Sequence, residues 1–109
     1  MSTSELEPGA GGAARALLLP AVRALVAEAR ARRAALSTES AARQFYLGVE
    51  AAAAEVLHPQ TTASRAPGWL EREPSQFRDG YLRTGEILRR ASSGAEPPVH
   101  IPLPAVAPP

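Results

Sequence analysis

Three observations predict an all-α protein. Apolar residues recur at helical spacing in three separate segments. Alanine, the best helix former, occurs 23 times in 109 residues. Prolines, glycines and short polar residues fall between the three segments. The predicted architecture is a helical hairpin plus a weaker third helix. A disordered N-terminal arm (1–12) precedes a small helical domain (13–91), and a proline-rich C-terminal tail (92–109) follows it.

Residues 1–12, MSTSELEPGAGG, have linker composition. In the next segment Leu18, Val22, Leu25, Ala29 and Leu36 share one face at 100° per residue. Pro20 fits only the first turn of a helix, which places that helix at about 19 to 36. Ser37, Thr38, Glu39 and Ser40 supply capping side chains and an early acid for a second helix. Its stripe is Phe45, Val49, Ala52, Ala53 and Val56. Leu36 and Phe45 stand half a turn out of phase, so a break near Ser37 is needed before both stripes can face one core. His58-Pro59 ends the second helix, because proline disfavours helical backbone in the residue before it.

Gln60 to Pro74 reads as a loop with a Pro67-Gly68 turn and one helical turn around Trp69. Ser75 is the expected N-cap of a third helix running to Ala91, with Phe77, Tyr81, Thr84 and Leu88 on its apolar side. Gly80 and Gly85 weaken this helix by about 1 kcal/mol each relative to alanine. Ser92-Ser93-Gly94 closes it. In the tail, Val99, Ile101 and Leu103 alternate with His100, Pro102 and Pro104, so an extended conformation has one apolar side. Such a strip can dock into a groove on another protein, and it is expected to lie outside the chain's own core.

Leu, Ile, Val and Phe together number only 22. At about 25 cal/mol per Å² of apolar surface, a core built largely on alanine barely offsets roughly 1.5 kcal/mol of conformational entropy per ordered residue. Burial against a second chain is therefore expected, either a protein partner or another copy. All 12 basic residues are arginine, and lysine and asparagine are absent, as in proteins of high-GC genomes. Formal net charge is +1. No run of 18 apolar residues suggests a membrane span, and nothing indicates secretion, so a soluble intracellular protein is expected.

Chemistry-bearing motifs are sparse. There is no cysteine, the two histidines stand apart at 58 and 100, and no phosphate loop or nucleophile motif occurs. Catalysis, a metal site and a cofactor are not expected. The arginines at 30, 32 and 33 could meet nucleic acid, but Glu28/Arg32, Glu39/Arg43, Asp79/Arg83 and Glu86/Arg90 stand four apart with the acid first, the order that stabilises exposed helices. Nucleic acid is accordingly a secondary expectation. Arg89-Arg90-Ala91-Ser92 matches a basophilic-kinase pattern and also an ordinary helix end. Alanines 51–54, with Gly48 one turn earlier, form a smooth face suited to close helix packing. The residues expected to bury surface against a partner are Phe45, Val49, Val56, Trp69, Phe77 and Tyr81, with Val99, Ile101 and Leu103 as a second attachment.

Three fragments in order, VRAL at 22–25, AARQFYLGVEAAAA at 41–54 and APGWLE at 66–71, resemble segments of the small capsid proteins of alphaherpesviruses. In that family an Arg-Pro and a Gly-Leu-basic-Arg-Thr segment follow the tryptophan closely; here GYLRT at 80–84 is the nearest counterpart. The resemblance implies a non-enzymatic subunit decorating a capsid. More broadly it admits an accessory capsid or tegument protein of a GC-rich virus.

Overall fold

A computed structural model describes residues 3–94 and 98–106, with side chains for 16–94 and 98–106. Its elements are α1 (Thr3–Ala34), α2 (Ala41–Leu57), α3 (Pro59–Thr62), a 3-10 turn (Leu70–Arg72) and α4 (Ser75–Ser93). No strand occurs among the described residues, so the fold is all-α. The expected N-terminal arm lies outside the residues whose side chains are described.

α1 passes through Pro20 instead of starting there. Proline already has helical φ, and its missing N–H removes a single bond, the one to the carbonyl four residues earlier. Leu18, Ala21 and Val22, which flank it, are all buried, and their packing offsets the loss. The break between the first two helices falls at residues 35–40, as the phase shift requires. Ser40 occupies the N-cap of α2, but its side chain makes no capping bond. α2 ends at Leu57, where His58 takes a non-helical conformation before Pro59. Pro59 then sits in the first turn of α3, where its missing donor is harmless; sequence reading gave loop there.

Gly68 has φ of 75°, the left-handed conformation that the turn after Pro67 demands. Pro74, not Ser75, is the N-cap residue of α4, so Ser75 is the first residue of the helix.

α2 lies centrally. It packs most extensively on α4 and next on α1, while α1 and α4 barely touch each other. Leu57 and His58, at the end of α2, flank Arg23 and Val26 of α1, so these two helices run antiparallel. The core joins Leu18, Val22, Leu25, Val26 and Ala29 of α1 to Phe45, Tyr46, Val49 and Ala53 of α2 and Leu88 of α4. Each fully buried Leu, Val or Phe contributes about 1.5–3 kcal/mol.

One member of that core comes from the tail, which corrects the expectation that residues 98–106 stay outside it. Ile101 is 2% exposed, and Leu103 and Val106 pack on the same cluster. The tail lies beside Glu28 and Arg32 of α1 and Tyr46 of α2. An apolar side chain placed there is removed from water at no loss of helix packing. The segment takes no regular secondary structure, and no hydrogen bond joins residues 98–106 to the rest of the described protein. Among the described residues, side-chain burial is what holds it.

Candidate interaction surface

Two glycines determine how closely α2 and α4 approach. A Cβ on Gly48 would fall inside the van der Waals shell of the Phe77 carbonyl and 2.9 Å from the Tyr81 nitrogen. A Cβ on Gly80 would strike the Phe45 carbonyl in the same way. The helix backbones therefore meet with no side chain between them at this crossing. Beyond it they diverge, and the gap becomes a groove.

The groove has a volume of about 560 Å³. Ala52 and Val56 of α2 and Gly85 and Leu88 of α4 supply its apolar surface. Polar side chains at its border are Glu55, Tyr81, Arg89, Ser92 and Ser93. Leu82 also lines it and is 58% exposed, an aliphatic side chain left in water.

A polar and aromatic cluster adjoins the groove. Arg65 donates to Glu55 Oε2 at 2.8 Å and to the Ala51 carbonyl at 3.2 Å. Its guanidinium also lies 4.2 Å from the centre of the Trp69 ring. Trp69 meets Phe77 and Tyr81 edge to face, with ring centres 6.1 and 5.2 Å apart. The Tyr81 hydroxyl donates to Glu55. Burial first, and then the hydrogen bond to Glu55 and its negative charge, push the Tyr81 pKa up to about 12. Residues from α2, the loop and α4 are thus tied into one patch.

The sequence-predicted partner residues divide into three groups. Phe45, Val49 and Ile101 are buried by the chain itself. Val56, Trp69, Phe77, Tyr81 and Leu103 are half-buried, and of these Val56 and Tyr81 line the groove. Val99 is 97% exposed. Leu82 was missed, although a leucine one residue after Tyr81, off the 77/81/84/88 stripe, is a readable signal of an apolar side chain facing outward.

Arg30, Arg32 and Arg33 of α1 are engaged by carboxylates. Arg30 Nε lies 3.2 Å from Glu50, and Arg33 also bonds to Glu50, which raises the Arg33 pKa above its usual value. Arg32 pairs with Glu28 at 3.5 Å. Asp79/Arg83 and Glu86/Arg90 form as spaced, whereas Glu39/Arg43 does not, because Glu39 sits in the turn before α2. Among the described residues no three His, Cys, Asp or Glu side chains cluster as metal ligands, and no helix is long and apolar enough to cross a membrane. Comparison with protein-family models, with curated proteins and with solved structures gave no match to this chain.

Proposed function

We propose that this protein is a non-enzymatic interaction subunit that packs its α2/α4 face against a second protein surface, another copy or a larger partner. The observation that carries this is the exposed Leu82 beside an apolar groove whose other wall is alanine and valine. Small residues on both helices let a third helix or a flat surface approach closely. The aromatic patch beside the groove supplies rigid anchors that lose little rotamer entropy on contact. Glu55 and Arg89 give the groove one charge of each sign, suited to fixing orientation more than strength. Pairing of Arg30, Arg32 and Arg33 with Glu50 and Glu28 favours a protein partner over nucleic acid at this cluster, since a phosphate backbone requires uncommitted positive charge.

Leu82→Asp tests the proposal, because a carboxylate at a half-exposed helix position leaves the fold intact and places a charge in the contact. Its circular dichroism should match that of the parent. Association, read as oligomeric mass by sedimentation and as partner retained from native extract, should fall by at least about tenfold, the equivalent of roughly 1.4 kcal/mol. A parent chain that stays monomeric and retains nothing that Leu82→Asp loses would overturn it.

A further inference from the structure

We infer that Ser92 is a phosphorylation site, modified by a serine kinase that reads arginine, and that its phosphate weakens association through the α2/α4 groove. The second half rests on the proposed interaction face; the first stands without it.

The sequence supplies the recognition element. Arg89 and Arg90 stand three and two positions before Ser92, and no other serine or threonine of the chain has arginine at both places. Each guanidinium can make a bidentate, charge-assisted pair with a carboxylate of the modifying enzyme. Arg89 is exposed and has no carboxylate partner among the described residues. Arg90 is paired only with Glu86, on the surface, where such a pair is worth little and yields to a competitor.

The fold makes the acceptor reachable. Ser92 is exposed in the last turn of α4, and the chain becomes extended at Gly94. Beyond the buried Leu88, the one apolar side chain of α4 that packs on the core is the methyl of Ala91. Unwinding from Arg89 onward into an enzyme cleft therefore leaves the core in place, as fraying of a helix end does elsewhere. Ser92 Oγ donates to the Leu88 carbonyl at 2.8 Å, a single bond to give up. In the transfer, Oγ bonds to the γ-phosphorus of ATP, the bond from that phosphorus to ADP breaks, and the hydroxyl proton passes to a base of the kinase.

The modified residue lies at the groove. Ser92 and Arg89 line it on one side and Glu55 on the other. A phosphate brings a charge of about −1.5 to −2 to a border that otherwise carries one charge of each sign. It also stands at a helix C-terminus, where negative charge is unfavourable. A partner surface matched to the unmodified border then meets net negative charge and an altered last turn.

The test uses the full-length chain, ATP and the catalytic subunit of cyclic-AMP-dependent protein kinase, which reads arginine at these positions. Mass spectrometry should find one phosphate per chain, on Ser92. Ser92→Ala should stay unmodified, and Ser93→Ala should be modified at the parent's rate. Arg89→Ala should lower kcat/KM by at least about tenfold, the loss of one charge-assisted pair to the enzyme. A full-length chain that gains no phosphate, or gains it on Ser93, overturns the site. Association of the phosphorylated chain, read by sedimentation, should be at least about tenfold weaker than the parent's and should recover after phosphatase treatment. Equal association before and after modification overturns the regulatory half. A parent chain that does not associate at all ends that half together with the α2/α4 reading, and leaves a phosphate found on Ser92 standing.

Discussion

Tyr81 shows what a single residue does in this patch and how little of it can be read in advance. Helical spacing placed Tyr81 on the inner side of α4, where it lies half-buried. Its hydrogen bond to Glu55 joins residues 26 positions apart, and no local pattern encodes that. The consequence is measurable. The folded protein holds the phenolic proton from the ordinary value of 10.0 up to about 12, whereas the unfolded chain releases it near 10. Above pH 10 the native state therefore binds more protons than the unfolded state, and stability falls as pH rises through that window. Below pH 10 this contribution is fully present. Ultraviolet titration should show one tyrosine ionising at about pH 12, and Glu55→Gln should bring it down towards its ordinary value, because both the charged acceptor and the neighbouring charge are lost. A Tyr81 titration unmoved by Glu55→Gln would show that the hydrogen bond does not form in solution.

Among the elements, α4 most changes the meaning of its sequence. Its two glycines read alike as helix weakeners, yet the structure separates them. Gly80 belongs to the crossing with α2, where any side chain meets the Phe45 backbone; Gly85 has nothing within 4 Å of an added Cβ. Helix propensity gives both the same penalty, and only the tertiary approach tells them apart. Gly85→Ala should thus stabilise by about 1 kcal/mol, raising Tm by about 5 °C. Gly80→Ala and Gly48→Ala should each destabilise by about 3 kcal/mol, since backbone cannot move aside as a side chain can. Thermal melts of the three variants check this, and a similar shift at 80 and 85 would place the crossing elsewhere. The smooth alanine face of α2 was legible as a packing surface, because close approach leaves small residues in the sequence. The start of α1 was not, because a proline that breaks one helix is carried by the packing of another.

At the scale of the whole molecule, the composition foretold a core short of bulky side chains, and part of the missing cover proves to be the chain's own Ile101. Alternation in the tail was readable in the sequence, with Val99, Ile101 and Leu103 set against His100, Pro102 and Pro104. Its destination was not, because the surface that receives Ile101 exists only once the helices have packed. The arrangement makes α2 the one wall shared by both neighbours and by the tail. The proposed interaction face and the tail's seat accordingly share one helix, α2.

A contact made by apolar side chains, with no hydrogen bonds to the described helices, is driven near room temperature by the entropy of released water and loses strength on cooling. The tail is expected to let go in the cold while the helices persist. The chain contains no cysteine, so Leu103→Cys accepts one environment-sensitive dye. Chilled towards freezing, that dye should report wetting before far-ultraviolet ellipticity changes; a dye signal locked to the ellipticity would mean the strap and the bundle freeze and thaw as one body.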